Sequence, residues 1–247
     1  MVSCNASYRN ITSGMLKVES IHYTKINSFM LSAILFDLDG TLANTDPLHF
    51  KIWQEILAQY GINCDRSFFQ EHISGNTNEQ LIARVLPHLS AQESKQLAID
   101  KEAQFRAKVP TMQPTPGLER ILQLSNEVPL KRAVVTNAPK ENAHHMLEAL
   151  NLTATFPIMV LAEDAPPGKP DPAPYLLGLE KVKVKAQDAI AFEDSATGIQ
   201  SAVAAGIYTI GVASTHDREL LKSFGANMVI KDFNSPQLWQ YLEQKVF

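Results

Sequence analysis

Two aspartates, Asp37 and Asp39, follow a short apolar run at the point where a buried strand would end. Acidic side chains at the mouth of an apolar strand are costly unless a cation compensates for their charge. A hard divalent ion such as Mg²⁺ suits this position, because it prefers oxygen ligands and phosphate partners. A solvated turn is the alternative interpretation, since Asp-Gly pairs such as residues 39–40 often form turns.

A second acidic pair, Glu193 and Asp194, also follows an apolar run and precedes a segment of helical periodicity. Asp194 alone could be a helix N-cap. Because the carboxyl ends of parallel strands face the same crevice, the two acidic pairs together favour a metal site.

Polar residues follow two further apolar runs. Thr136 and Asn137 come after one of them, where hydroxyl and amide donors could hold a phosphoryl oxygen. Lys169 lies in a proline-rich loop after the other, where a fixed cation could balance a phosphoryl charge. The alternatives are an ordinary polar turn and a solvated loop lysine.

The elements that must position these residues form a regular alternation. Continuous rather than alternating apolar runs predict strands of a parallel sheet buried on both faces. Segments 140–150, 175–181 and 195–205 are long enough for crossover helices. The pattern predicts a Rossmann-like, doubly wound α/β core, which binds ligands at the carboxyl ends of its strands. The apolar runs are residues 33–36, 133–135, 158–161, 189–192, 208–212 and 228–230.

The long stretch between the first and second predicted strands has a helical pattern throughout. Asp46 suits an N-cap with Pro47 at the first helical position, and residues 90–93 have capping-box spacing. A helical insertion here would cover the carboxyl end of the first strand like a lid, with hinges at residues 43–46 and 111–116. The expected domains are a tail of residues 1–29, a core of residues 30–45 and 113–247, and a helical cap of residues 46–112.

Composition excludes several classes of protein. The 247 residues include 22 basic and 26 acidic side chains, for a net charge of −4, and 45% are apolar. That is enough for one sizeable core, or a core with a smaller domain. A mildly acidic chain without a long basic run is not expected to bind nucleic acid. No stretch approaches about 18 uninterrupted apolar residues, so no membrane span is expected.

The two cysteines, Cys4 and Cys64, are too few for a disulfide framework and lack metal-ligand spacing. We therefore expect a soluble, cytoplasmic protein. Residues 1–29 are rich in serine, poor in acids and without the apolar region of a secretory signal. They indicate an organelle transit segment, an unstructured extension, or an upstream start before a working first residue at Met30.

The motifs stand in the order of the four-motif pattern of the haloacid dehalogenase superfamily, which the chain resembles over about residues 31–245. The motifs are DLDGTL at 37–42, Thr136, the Lys169 loop, and Glu193 with Asp194. The helical insertion resembles the C1-type cap of the β-phosphoglucomutase-like subgroup. Residues 135–143 and 192–195 are similar to the plant sugar-phosphate phosphatases of that subgroup.

The resemblance implies a mechanism. Asp37 would be the nucleophile that forms an aspartyl phosphate, and Asp39 would protonate the leaving alkoxide and then deprotonate the attacking water. It implies that the Asp37 side chain, the Asp39 backbone carbonyl and Asp194 hold Mg²⁺, with Glu193 supporting from nearby. Lys169 would supply further positive charge, and Thr136, with Asn137 beside it, would cradle the phosphoryl group.

The resemblance extends to the cap. His49, Trp53 and Lys101 match a histidine, a tryptophan and a lysine of the β-phosphoglucomutase pattern, although a helix histidine, a core tryptophan and a surface lysine would need no function. Mutases of the subgroup hold a second phosphate with an arginine three residues after a glycine at the position of Gly75. Asn78 stands there instead and cannot form a bidentate clamp, which favours a hydrolase.

The sequence therefore predicts a Mg²⁺-dependent phosphatase that acts on small sugar or polyol phosphate monoesters. We expect a monomer whose partner is a small phosphorylated molecule, with no nucleic acid and no membrane. The alternatives are a phosphosugar mutase of the β-phosphoglucomutase kind, a pyrophosphatase or nucleotide phosphatase, and a catalytically idle binding module. The costly acids Asp37, Asp39 and Asp194 argue against an idle module.

Overall fold

A six-stranded parallel sheet, with strand order β3-β2-β1-β4-β5-β6, forms the centre of the molecule. The computed structural model describes residues 30–73 and 77–246, so the expectations for residues 1–29 and the one involving Gly75 lie outside the described residues. The strands are β1 (Ala33–Phe36), β2 (Lys131–Thr136), β3 (Met159–Leu161), β4 (Ala189–Glu193), β5 (Tyr208–Val212) and β6 (Met228–Ile230).

Helices connect and follow the strands. Those between β1 and β2 are α1 (Asp46–Gln59), α2 (Arg66–His72), α3 (Asn78–Val85), α4 (Ala91–Lys108) and α5 (Leu118–Glu127). The later ones are α6 (Lys140–Ala149), α7 (Ala173–Val182), α8 (Ala196–Ala204), α9 (Arg218–Ser223) and α10 (Pro236–Val246).

The doubly wound α/β core is confirmed. β1 and β4 are buried along their whole length, which is why their sequences are apolar without alternation. Each of the six predicted apolar runs coincides with a strand, lies within one or contains one. The chain leaves β1 in one direction, through β2 and β3, and returns to β4 on the other side of β1. Such a switch point opens a crevice at the carboxyl ends of the strands.

Aromatic rings fill one side of the sheet. Phe36 of β1 stacks on Phe192 of β4 with ring centroids 5.3 Å apart, and Phe233 packs edge-on to Phe192 at 5.0 Å. Phe156 meets Phe36 edge-on at 5.5 Å. Offset and edge-to-face geometries of this kind stabilise a core beyond the area that they bury.

The helix boundaries in the insertion agree with the sequence at one place and differ at another. Ser90 and Glu93 form the expected capping box of α4. The predicted N-cap at Asp46 is wrong, because Asp46 is the first residue of α1 and Thr45 occupies the cap position. The Thr45 hydroxyl caps nothing, since it donates to the carboxylate of Asp39.

The two ends of the insertion lie side by side. Ala43 forms backbone bridges with Asp39 and with Pro114, and the Thr115 amide donates to the Leu42 carbonyl at 2.9 Å. The Thr115 hydroxyl donates to the carbonyl of Thr41 at 2.7 Å. The helices between these ends are therefore anchored directly after the first strand. Across residues 30–73 and 77–246, none of the helices combines the length and the apolarity needed to cross a bilayer.

We predict that Phe233→Ala lowers the free energy of unfolding by about 3–5 kcal/mol, because it removes a buried ring from the aromatic cluster and leaves a cavity. Phe233 is fully buried, whereas Leu176, on α7, is 49% exposed and serves as the matched control. Urea unfolding followed by circular dichroism measures both variants. Equal midpoints for Phe233→Ala and Leu176→Ala would contradict this account of the core.

Candidate active site

The loop after β1 brings Asp37 and Asp194 together at the carboxyl edge of the sheet. The Asp37 amide donates to the Phe192 carbonyl at 2.9 Å, so the pairing of β1 with β4 continues one residue past β1. Gly40 then turns the chain with φ +76°, and a Cβ atom on it would lie 1.9 Å from Oδ2 of Asp194. Only glycine fits both the left-handed conformation and this close approach.

Lys169 lies among acceptors supplied by three strands. Its Nζ donates to Oδ1 of Asp37 at 2.6 Å, to Oε1 of Glu193 at 2.6 Å and to the carbonyl of Val135 at 2.7 Å. All three ammonium protons are therefore used. Burial lowers the pKa of Lys169, but the carboxylates of Asp37 and Glu193 outweigh it and raise that pKa above its ordinary value. Lys169 is a fixed cation and not a solvated loop lysine.

Glu193 is fully buried and held from several sides. Its Oε1 also accepts from the Tyr175 hydroxyl at 2.7 Å, and its Oε2 lies 3.4 Å from the Ser195 hydroxyl. A Cβ atom on Gly198 would lie 1.9 Å from Oε2, so a glycine at the start of α8 makes room for the carboxylate. Glu193 thus positions Lys169 and also contributes a carboxylate beside Asp37 and Asp194.

Asp194 is a buried carboxylate at the end of β4. Ser195, not Asp194, is the N-cap of α8 and accepts from the Gly198 amide, so the N-cap alternative for Asp194 is wrong. The Thr215 hydroxyl donates to Oδ2 of Asp194. This donor orients the carboxylate without neutralising its charge.

Asp37, Glu193 and Asp194 form a compact acidic cluster in which one carboxylate oxygen from each lies within 4.8 Å of the others. Burial, and to a smaller extent the charge of Glu193, raise the pKa of Asp37 to about 8, although Lys169 opposes them. Burial, Asp37 and Glu193 raise the pKa of Asp194 well above its ordinary value. One lysine leaves the three acids undercompensated, and this all-oxygen donor set fits a hard divalent cation.

Thr136 and Asn137 follow β2 and line the same cavity as Asp37. The Thr136 hydroxyl accepts from the Ala138 amide at 3.0 Å, which fixes the side chain in the turn. Asn137 binds the backbone of Lys169 twice, donating to its carbonyl at 3.2 Å and accepting from its amide at 3.1 Å. Asn137 therefore holds the Lys169 loop against the end of β2.

Asp39 lies beside the start of α1. Its Oδ1 accepts from Thr45 at 2.9 Å and lies 3.5 Å from Nε2 of His49, whose Nδ1 lies 3.0 Å from Nζ of Lys101. Because an ammonium group only donates, Nδ1 is an acceptor and the ring proton sits on Nε2, facing Asp39. Burial alone would raise the pKa of Asp39, but His49 and Thr45 outweigh it and lower that pKa.

Glu102, which the sequence did not single out, connects α4 to α6. It accepts from Lys101 at 2.8 Å and from the amides of Asn78 and Asn142. Asn142 lies on α6 of the core, and its Oδ1 accepts from Arg106 at 2.9 Å. Glu102 and Arg106, one turn apart on α4, therefore both bind Asn142 across the cleft.

Most of these groups, though not Glu193 or Arg106, line one cavity of about 440 Å³ between the helices after β1 and the edge of the sheet. Trp53 also lines it and is 2% exposed. A sequence signal for the cap residues did exist. Ala98, Lys101 and Phe105 are buried at helical spacing, so a lysine occupies the apolar stripe of α4. A charge in such a stripe requires a partner, and here the partner is the adjacent Glu102.

Three curated relatives align with most of the chain. Validoxylamine A 7′-phosphate phosphatase from Streptomyces hygroscopicus subsp. limoneus is 28% identical over 86% of this chain and 99% of its own length. A phosphorylated carbohydrates phosphatase from Thermotoga maritima is 30% identical over 81% and 94%. β-Phosphoglucomutase from Bacillus subtilis is 28% identical over 81% and 89%.

A solved structure has the same fold. A family IA hydrolase of the haloacid dehalogenase type from Entamoeba histolytica superposes with a TM-score of 0.78 and 28% identity, over 87% of this chain and 99% of that one. Residues 34–212 match the haloacid dehalogenase-like hydrolase family as a whole. This range includes every residue of the acidic cluster and Lys169. The chain belongs to the haloacid dehalogenase-like hydrolases.

Proposed function

We propose that the protein is a Mg²⁺-dependent phosphatase that hydrolyses small sugar or polyol phosphate monoesters through an aspartyl-phosphate intermediate. The contact between Lys169 and Asp37, at 2.6 Å beside two further buried acids, is the observation that carries the proposal. It places a nucleophilic carboxylate next to a fixed cation at the edge of a cavity. Relatives named as phosphatases of phosphorylated carbohydrates support the same reaction.

Asp37 supplies the attacking oxygen. The carboxylate forms a bond to phosphorus while the bond from phosphorus to the ester oxygen breaks, and the alkoxide leaves with a proton from Asp39. Water then gives a proton to Asp39 and attacks phosphorus, which releases phosphate and restores Asp37. Asp37 and the phosphate are both anionic, and Lys169 reduces their repulsion.

Asp39 changes its protonation state between the two steps. The hydrogen bonds from His49 and Thr45 favour its ionised form, which is the form that accepts a proton from water. A bound phosphate adds negative charge next to Asp39 and favours the protonated form that the first step requires. The substrate itself thereby prepares the acid.

The acidic cluster would hold Mg²⁺ through the side chains of Asp37 and Asp194, with the Asp39 carbonyl as the further ligand that the family resemblance implies. The ion would supply positive charge opposite the phosphoryl oxygens. Glu193 would balance charge from behind, because its Oε1 is already occupied by Lys169 and Tyr175.

Thr136 is the proposed donor to a phosphoryl oxygen, and Asn137 holds Lys169 in place for the same group. His49 and Lys101 are proposed to contact the substrate from the side of the cap, since both line the cavity. We propose that residues 46–112 act as the cap and hinge at their paired ends. The expected monomeric state and cytoplasmic location remain predictions.

A phosphosugar mutase is the second candidate, because the relative from Bacillus subtilis carries that name. A mutase must retain a bisphosphate, which needs a strong anion clamp at the far end of the cavity. Asn78 offers an amide there, and this amide already donates to Glu102. The aspartyl phosphate is therefore expected to react with water.

We predict that the full chain with Mg²⁺ releases inorganic phosphate from members of a sugar-phosphate panel and forms no glucose 6-phosphate from β-glucose 1-phosphate. Both products are measured in the same samples. Glucose 6-phosphate without phosphate would identify a mutase. If neither product forms and pyrophosphate or nucleotides are hydrolysed instead, the protein belongs to another substrate class.

We predict that Asp39→Asn keeps the fold and lowers turnover by about two orders of magnitude or more, because an amide cannot transfer the proton. Asp100→Asn, on the exposed face of α4, is the matched control and should keep wild-type turnover. Steady-state phosphate release and circular dichroism provide the two readouts. Near-normal turnover in Asp39→Asn would remove the acid–base role from this residue.

We predict that EDTA abolishes phosphate release and that Mg²⁺ restores it. At a Mg²⁺ concentration of 100 times Kd, binding should stabilise the fold by about 2.7 kcal/mol and raise Tm by about 5 °C or more. Asp194→Asn should lose this thermal shift, because it removes one carboxylate from the cluster. Glu163→Gln changes an exposed acid of the cavity outside the cluster and should keep the shift. An identical shift in both variants would contradict the proposed metal site.

A further inference from the structure

The cavity is rich in negative charge at both ends. Seven carboxylates and three lysines line it. Two of the lysines are already paired, since Lys169 contacts Asp37 and Glu193, and Lys101 contacts Glu102 at 2.8 Å. The third, Lys140, is exposed at the start of α6. We call the end of the cavity that is lined by residues from the range 46–112 the cap end. Among the described residues, this end therefore has no buried cation without a carboxylate partner.

Glu102 gives the cap end its buried negative charge. Its side chain is 12% exposed. Lys101 and His49 lie between Glu102 and Asp39 and link the two carboxylates through a chain of contacts. Burial raises the pKa of Glu102, but Lys101 and the amide of Asn78 outweigh burial and hold that pKa below its ordinary value. The carboxylate is therefore ionised at neutral pH.

The Glu102 carboxylate has an acceptor position available for a hydroxyl group but offers no donor to an anion. A carboxylate has about four acceptor positions. Oε1 accepts from Lys101 and Asn78, and Oε2 accepts from Asn142, so three of those positions are occupied. A sugar hydroxyl can donate to the remaining position. A phosphate oxygen has no proton to donate when ionised and would meet the carboxylate with repulsion.

We propose that Glu102 is a specificity-determining residue that excludes a second phosphate from the cap end of the cavity and selects esters with an uncharged, hydroxyl-bearing end. The inference rests on the proposed function and narrows its substrate class to monophosphates. It also gives a physical reason why hydrolysis is favoured over mutase chemistry. A mutase must rebind its bisphosphate intermediate in the opposite orientation, and Glu102 would repel the second phosphate of that intermediate.

Fructose 1-phosphate and fructose 1,6-bisphosphate form the test pair, because they share one ester and differ in the second phosphate. The ratio of kcat/KM for the monophosphate to that for the bisphosphate is measured in the wild type and in Glu102→Gln. Glu102→Gln keeps the size of the side chain and removes its charge. We predict that the ratio falls about tenfold, as expected for removing a buried like charge beside a dianion.

Glu141→Gln is the matched control. Glu141 lies one residue from Asn142 and contacts Arg106 at 3.5 Å, but its side chain is 74% exposed, where solvent screens its charge. This variant should keep the wild-type ratio within about twofold. A purely structural role for Glu102, holding Asn142 and the cap, would lower both kcat/KM values in Glu102→Gln by the same factor and leave the ratio unchanged. That outcome would overturn the proposal.

A binding measurement separates this inference from the proposed function. Calorimetry with Mg²⁺ gives Kd for the two ligands in Asp39→Asn and in Asp39→Asn combined with Glu102→Gln. A preference for the monophosphate that falls about tenfold in the double variant supports the inference even if the wild type releases no phosphate, which would count against the proposed function alone. An unchanged binding preference would overturn the role of Glu102 whatever the wild-type activity.

Discussion

A lysine buried between two carboxylates is the contact on which the rest of the site depends. Lys169 joins the ends of three strands, because Asp37 follows β1, Val135 belongs to β2 and Glu193 ends β4. Removing charged groups from water is costly, so the pairing is stable only while every ammonium proton has an acceptor. Tyr175 adds a donor to Glu193 from α7. The sheet edge, the proline-rich loop and α7 are thus fixed relative to one another by one ammonium group.

The same pairing leaves part of the negative charge of the acidic cluster uncompensated. This excess of negative charge lowers the stability of the fold but suits the binding of a cation. Three buried carboxylates face one lysine, and the raised pKa values of Asp37 and Asp194 record the cost. A bound cation would remove that cost, so the fold holds a destabilised arrangement that such a ligand would stabilise. The groups that would surround a transferring phosphoryl in the proposed mechanism are therefore oriented before a substrate arrives.

The sequence was sufficient for the sheet and for the centre of the site. Short uninterrupted apolar runs bounded by turn residues favour strands buried on both faces, and the rule that ligands bind at the carboxyl ends of parallel strands predicted that Asp37, Lys169 and Glu193 lie at one edge. Glu102 and Asn142 were beyond its reach, because their contact joins residues 40 positions apart across a cleft. Periodicity within one helix cannot show which other element that helix will face.

The orientation of Asp39 links the two halves of the molecule. Asp37 faces Lys169 and the sheet, whereas Asp39, two residues on, contacts Thr45 and His49 at the start of the cap. In the proposed mechanism the leaving group departs opposite Asp37, so it would lie on the side of the proposed cap, where Asp39 would protonate it. The residues that recognise the leaving group then lie beside the acid that releases it. If residues 46–112 act as the proposed cap, its docking would couple the choice of substrate to the proton transfer, and a poorly held leaving group would be poorly protonated as well.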